Sequence, residues 1–567
     1  MGFRRGAVRL RWIVAGNLFA AAFAAAEAGA QFVPPASVQP GQLERRFIEP
    51  RAPEAQPEPQ VAPPPSPSAP AGPAQIRFTL VGVEIEGSTV YQPADLAPLY
   101  AEFLSREVGT AELDEIARRI TARYRADGYI LSRAVVPAQR VTAGILRIQI
   151  IEGFIDGTRI EGSFRGDRAL LERYLEKISA ARPLRAADLE RYLLLANDLP
   201  GISARAVLAA SPTQLGASDL TLLVEQDVMQ GFASFDNRGT RYVGPYQGQL
   251  GGTINSMLAR MDQTQLRLIG TTQIEELRYG ELSEQLQIDD EGTKLGLAVR
   301  RTLSHPGYTL KANEFESESV SGEMTLTHPF IRSRPENLRG TLTFSYRDST
   351  TTVLSSPFSK DRQSVVRLGG AYDFVDHLFG INLIGLEASR GLNILGATET
   401  GSDGLSRSNG HSDFTKITAQ ALRVQRLADS WSLLVGVNGQ IANNPLLVAE
   451  EFSLGGSEYG RAYDPSELTG DDGIGGKIEL RYALPWRDEV LLSSQLFTFY
   501  DVGTVWNQEP VSGESGRASL ASAGFGLRFD LARGISGSAE IDIPLTRPVA
   551  VRGDDDPRLF FSFSAAF

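Results

Sequence analysis

Phe499-x-Asp501-x-Gly503 sets an aromatic ring, a carboxylate and a residue without a side chain at i, i+2 and i+4. On a β-strand all three face the same side. If the opposite face met lipid, the Asp501 face would have to be the polar one, because a carboxylate aimed at hydrocarbon is costly. Gly503 would leave room there for another segment to come close. Arg461 lies in a Gly-, Asp- and Ser-rich stretch too irregular for a strand. A guanidinium can fork two hydrogen bonds onto a carboxylate. By spacing alone, though, Arg461 and Asp501 read as ordinary solvated charges, as most loop arginines and aspartates are. Their chemistry is positioning rather than catalysis. No G-x-S-x-G, His-Glu-x-x-His or P-loop pattern occurs after the leader. The four histidines, His305, His328, His377 and His411, stand in unrelated contexts, and there is no cysteine. Neither an enzyme nor a cofactor or metal is expected, and no disulfide framework is available.

The chain carries an export address. Arg4, Arg5, Arg9 and Arg11 precede an apolar run from Trp12 to Ala26, and Ala28-Gly29-Ala30 forms a cleavage site before Gln31. Residues 1–30 therefore read as a signal peptide, with an uncleaved anchor as the alternative. No other stretch reaches the ~20 apolar residues of a membrane helix. A net charge of −12, from 56 basic and 68 acidic residues with no basic block after the leader, argues against a nucleic-acid partner.

Three regions come after a short N-terminal segment, residues 31–51. In that segment Gln42 to Glu49, with Leu43 and Phe47 at i, i+4, is a short helix or a disordered stub. Residues 52–74 are dominated by Pro and Ala, an extended, semi-rigid tether. Residues 75–153 and 154–226 repeat one order, strand–helix–helix–strand–strand. Phe78 to Gly87, Pro93 to Leu104, Ala111 to Asp127, Tyr129 to Pro137 and Gly144 to Glu152 are answered by a strand around Thr158 to Gly162, then Asp167 to Ala180, Ala186 to Asp198, Gly201 to Leu208 and Asp219 to Glu225.

Residues 227–567 are strand after strand with Gly, Asn, Asp and Ser between. Leu342, Phe344 and Tyr346 oppose Thr341, Thr343 and Arg347; Ile478 and Leu480 oppose Lys477, Glu479 and Arg481. Alternation alone cannot say which face is lipid. Leu559, Phe561, Phe563, Ala565 and the terminal Phe567 share one face; alone, they fit an ordinary half-buried strand equally well. With the leader and the charged inner faces, they predict a membrane β-barrel whose last strand closes the ring, Phe563 and Phe567 being its closing signal. About 340 residues at roughly twenty per strand and connection give on the order of sixteen antiparallel strands.

Motifs make this more specific. Asp236-Asn-Arg-Gly239 in the opening strand, Pro329-Phe-Ile-Arg-Ser-Arg334 followed by Glu336-Asn-Leu338, the Gly455 to Tyr463 loop and Phe499-x-Asp501-x-Gly503 occur in order after the tandem units. The chain resembles the two-partner secretion outer-membrane transporters, whose periplasmic units are POTRA modules. The resemblance spans nearly the whole chain after the leader. It implies a barrel with two N-terminal periplasmic POTRA-like domains, in the outer membrane of a Gram-negative bacterium. It further implies a loop folded into the barrel whose tip, Gly460, Arg461, Ala462 and Tyr463, meets Phe499, Asp501 and Gly503, with Arg461 on Asp501. Ala462 departs from the family's Gly, which puts the tip's backbone conformation in doubt.

The implied partners are an unfolded secreted exoprotein encoded nearby, outer-membrane lipid, and the barrel-assembly machinery for the chain's own insertion. Capture would be β-augmentation at edge strands Ile130 to Val136 and Ile202 to Val207, with Ile130, Val135, Ile202 and Val207 as markers. Gln42 to Glu49 would plug the resting lumen, which Arg45, Arg46 and Glu49 suit. A barrel-assembly insertase of the same superfamily is the alternative, and a passive porin has no reason to carry a periplasmic receptor.

Overall fold

The structure, a computed structural model, describes residues 34–48, 52–56, 77–258, 260–511 and 514–567. The expected signal peptide, most of the proline-rich tether and Glu49 lie outside the described residues.

Both periplasmic units are three-stranded sheets of one topology. In the first, Gly82–Glu86 runs parallel to the central Ile145–Ile151, which pairs antiparallel with Arg133–Val135. In the second, Phe154–Glu161 is parallel to the central Ala217–Gln226, which pairs antiparallel with Ile202–Ala210. Helices cover one face of each sheet. Thr110–Ala126 buries Ile116, Ile120 and Tyr124, spaced four apart, against Leu146 and Ile148. Arg168–Ala180, whose cap Asp167 accepts from the Ala169 N–H at 3.0 Å, buries Leu171, Tyr174 and Ile178 with Leu195 of the following helix Ala186–Asn197.

Two differences from the sequence reading matter. The helix expected over Pro93 to Leu104 is broken into Pro93–Leu96 and two 3₁₀ turns, because Pro98 cannot continue the backbone ladder. The strand expected over Ile130 to Val136 shrinks to Arg133–Val135, so Ile130 lies on a turn and not on an edge strand. The cause is local. Gly128 takes φ +90°, and the N–H groups of Ile130 and Ser132 are spent on Gly128 and Tyr129 carbonyls at 3.1 Å.

Sixteen antiparallel strands close into one barrel. The first, Met229–Asp236, pairs with Gln247–Asn255 on one side and with the last, Arg558–Ala566, on the other. Closure satisfies every strand edge, the condition for a sheet to lie in hydrocarbon. The alternation sorts as lipid and lumen require: Leu342 and Ile478 point outward and are exposed, whereas Thr341, Thr343 and Arg347 line an inner cavity of about 820 Å³. Phe563 faces Phe235 across the seam, and both point outward. At its end, Phe567 and Gly231 exchange backbone hydrogen bonds of 2.7 and 2.9 Å.

Deleting Phe567 removes both of these bonds and should destabilise the closed barrel by about 1–3 kcal/mol. Refolded in detergent micelles, the variant should lose its compact, heat-modifiable gel band at a lower temperature than the wild type. An unchanged transition would mean that the seam does not depend on its last residue.

Candidate functional site

The connection between strands Trp431–Ala442 and Asp472–Ala483 does not project outward; it folds back into the barrel. Its stem is a small hairpin, Phe452–Leu454 against Leu468–Gly470. Phe452, Leu454, Tyr463 and Leu468 pack with Val505 and Leu520 of the wall. Burial of these apolar side chains, at roughly 1.5–3 kcal/mol each, holds the stem against a lumen that is otherwise polar. The approach is close: a Cβ on Gly503 would stand 2.6 Å from Leu454 Cδ1, so no larger residue fits without displacing the stem.

The tip presents Arg461 to the wall. Arg461 Nε and Nη2 donate to Asp501 Oδ2 and Oδ1, each at 3.0 Å, a bidentate fork. The Arg461 and Gly460 backbone N–H groups add bonds of 3.1 and 3.2 Å to the same Oδ2. The guanidinium lies flat on Phe499, its Cζ 3.5 Å from the ring centroid. The i, i+2 spacing thus provides both a carboxylate and a platform, while Tyr500 and Val502 point out to lipid. Asp501 is fully buried and Arg461 is 5% exposed. The left-handed position at the tip is Gly460, at φ +95°, and Ala462 is not among the positive-φ residues. Alanine is therefore tolerated, and its carbonyl accepts from Arg558 Nη1 at 2.8 Å. Tyr463 OH donates to the Arg547 carbonyl at 3.1 Å.

Sequence reasoning missed Glu479. It is buried on the neighbouring strand and accepts from three arginines: Arg461, Arg481 Nε at 2.7 Å, and Arg528 Nη1 at 2.6 Å. Arg528 in turn stacks on Phe497, its Cζ 3.8 Å from the ring centroid. A signal is present in the chain, since Glu479 alternates onto the charged face of its strand with Arg481 two residues on; the pairing with Arg461 and Arg528, from other elements, is not legible there.

The N-terminal helix, Pro40–Arg46, lies inside the barrel with Pro40 in its first turn. Val38 and Leu43 pack with Val243, Leu277, Leu310 and Phe315 from three connections at one mouth. Its polar groups reach the inward-folded connection: Gln42 Nε2 donates to Val448 O at 2.6 Å and Arg45 Nη1 to Glu451 O at 2.5 Å. On the wall side, Glu44 pairs with Arg347 at 3.2 Å and Arg46 donates to Gln247 Oε1 at 2.6 Å.

Of the two edge strands expected to receive a client, Ile202–Ala210 is the longer, with Val207 and Leu208 exposed. Asn197 hydrogen-bonds both the N–H and the C=O of Ala204, at 2.9 and 3.0 Å. The main chain of Ala204 therefore points away from the sheet, and by the two-residue period so does that of Ile202, Ala206 and Leu208. The Ile202 N–H is already taken by Leu199 O at 3.1 Å. Val207 turns its main chain inward, so the groups open to a partner belong to its neighbours. In the first unit, Val135 lies on the three-residue edge strand.

Residues 78–153 match the ShlB-type POTRA domain, and residues 216–529 match the haemolysin secretion/activation protein family ShlB/FhaC/HecB. The heme/hemopexin transporter protein HuxB of Haemophilus influenzae is 24% identical over 487 residues, 84% of each chain. The outer membrane transporter CdiB of Dickeya dadantii is 24% identical over 502 residues, again 84% of each. Among solved structures, CdiB from Escherichia coli superposes with a TM-score of 0.71 at 20% identity, over 90% of this chain and 94% of that one. BamA from Haemophilus ducreyi lacking POTRA domains 1–3 shares the fold more distantly, with a TM-score of 0.53 at 13% identity over 86% of this chain and 100% of that one.

Removing one partner of a buried ion pair leaves the other uncompensated, at about 3–5 kcal/mol. Arg461→Ala and Asp501→Ala should each release the tip from the wall, read as loss of a disulfide engineered between Ser457 and a facing wall position. The double variant should be little worse than either single one. Independent, additive losses would show that the two residues do not hold the tip as a pair.

Proposed function

The chain belongs to the haemolysin secretion/activation family ShlB/FhaC/HecB, and on that footing we propose how its parts divide the work of two-partner secretion. It is an outer-membrane transporter with its POTRA domains in the periplasm, passing an exoprotein outward without nucleotide hydrolysis. The second domain receives the unfolded client along the free edge of Ile202–Ala210, where Ala206 and Leu208 offer main-chain groups irrespective of client sequence. The first domain's three-residue edge, marked by Val135, is the lesser site. The helix Pro40–Arg46 occupies the lumen at rest and must leave for a chain to pass. The tip pair Arg461–Asp501 fixes the inward-folded connection against the wall and so sets the bore of the path.

The single observation carrying this division is that an edge strand outside the barrel, Ile202–Ala210, and a helix within the lumen, Pro40–Arg46, sit on one chain. A passive pore needs neither. The barrel-assembly machinery that inserts this barrel, and lipid along its outer apolar band, complete the set of partners. No catalytic constellation is assigned, and none is required for vectorial passage.

Proline scanning along the edge tests the receptor. Ala206→Pro and Leu208→Pro each remove an outward N–H and should weaken binding of an unfolded client fragment to the full-length transporter several-fold, leaving the barrel intact. Val207→Pro should instead loosen the domain itself, because its N–H belongs to the ladder with Ala217–Gln226. Equal binding by all three variants, measured by fluorescence anisotropy, would move the receptor elsewhere.

A further inference from the structure

The Pro329 to Leu338 motif takes no part in the tip or the wall face that receives it. Its geometry gives it another role. A bulge between Pro329 and Ile331 interrupts the pairing with the next strand, and such an extra residue re-aims the side chains beyond it. Arg332 is the next residue along, and it turns out of the barrel rim toward the second POTRA domain. There Nε and Nη2 fork onto Asp198 Oδ2 and Oδ1, both at 2.7 Å. On its other side, Arg332 Nη1 donates to Asn337 Oδ1 at 2.9 Å, and Asn337 Nδ2 donates to Asp373 Oδ2 at 3.0 Å. Asn337 and Asp373 are fully buried.

Asp373 in turn holds the tether. The Glu54 N–H donates to Asp373 Oδ2 at 3.2 Å, and Arg339 pairs with both Asp373, at 3.7 Å, and the Glu54 carboxylate. Gln56 N–H adds a bond to Arg334 O at 2.7 Å. Ala55, between them, is 3% exposed. Glu54 lies only six residues beyond Ile48, where the described part of the plug segment ends. Extended chain spans at most about 3.5 Å per residue, so the clamp cannot release without giving the helix slack of comparable length.

The far end of the chain of contacts reaches the receptor edge. Asp198 closes the helix Ala186–Asn197, and Asn197 is the residue that grips both main-chain groups of Ala204. A client strand extending along Ala206 and Leu208 toward Ala204 must compete with that grip. We infer that Asp198, Arg332, Asn337, Asp373, Arg339 and Glu54 form a relay through the barrel rim by which occupation of the second POTRA edge loosens the tether and frees the plug. Arg332 is its positioning residue: one guanidinium serves the receptor domain and the tether clamp at once. The inference rests on the division of labour proposed above. Coupling of this kind is reciprocal, so a loosened tether should also alter the receptor edge.

The test reads the plug from a substitution in the domain that does not touch it. Full-length protein in planar bilayers, with no client present, reports plug residence as the fraction of time in the high-conductance state. Asp198→Asn keeps shape and removes the charge. It should raise the open fraction on the order of tenfold, as expected for loss of a charge-assisted contact. Glu54→Gln should do the same, and the pair together should add little. The charge swap Asp198→Arg with Arg332→Asp should return the open fraction toward wild type. Since no client is present, the readout is independent of whether the edge is the receptor. An open fraction unchanged by Asp198→Asn, or effects of Asp198→Asn and Glu54→Gln that multiply in the double variant, would overturn the relay. Should Asp198→Asn only lower the heat-modifiability temperature, with the open fraction as in wild type, the contact is structural and the inference fails.

Discussion

A charge inside a barrel wall can be neither turned to lipid nor left bare, and the interior of this transporter is organised by that constraint. Asp501, on the inner face of Leu491–Trp506, is fully buried, because the tip of the connection lies over it. It is answered by a guanidinium and two backbone N–H groups that come from the connection itself. The loop is thus the counter-charge of the wall, and the wall is the anchor of the loop. Glu479 extends the arrangement: three arginines meet on one carboxylate, and its buried members, Asp501, Arg461 and Glu479, would each be costly alone.

The same constraint shapes the seat of the N-terminal helix. On the wall side Glu44 pairs with Arg347 and Arg46 with Gln247; toward the inward-folded connection its bonds go to main-chain carbonyls, and Gly41 passes so near Ala449 that a Cβ on it would stand 2.3 Å from the Ala449 Cβ. Helix and connection therefore support one another, yet through groups that water can replace. Carbonyls of Val448 and Glu451 exposed by a departing helix would be rehydrated in an open lumen at little cost. Val38, Leu43 and Phe47 leave an apolar seat behind.

Much of this is legible in the residues, for identifiable reasons. Period-two alternation with charge on one face and aromatics on the other defines a lumen once export is known, and Phe499, Asp501 and Gly503 share a face by strand geometry alone. Most helix boundaries in the periplasmic units fall within a residue or two of those expected, because Asp167 caps and Gly128 stops. Local competition and partnership are harder to read. Pro98 and the turn at Gly128 shorten elements that hydropathy extends. The triple pairing of Glu479, the grip of Asn197 on Ala204 and the reach of Arg332 to Asp198 depend on which strands and domains come together in space. No spacing in the chain encodes them.

These two classes of contact also separate what must persist from what must move. The barrel is closed by a continuous main-chain ladder in hydrocarbon, where an unpaired group costs several kcal/mol, so the ring cannot open piecemeal. The periplasmic cores are mainly apolar, with Leu171, Ile116 and Tyr124 wholly enclosed. By contrast, the tether clamp and the helix in the lumen are joined to the rest by separate hydrogen bonds and ion pairs, each worth about 0.5–3 kcal/mol. On the proposed division of work, a client strand adding even a few main-chain hydrogen bonds to the edge of Ile202–Ala210 would supply energy of that order. The interactions that would have to yield are then commensurate with those that the client would bring, and no nucleotide would be needed to begin transport.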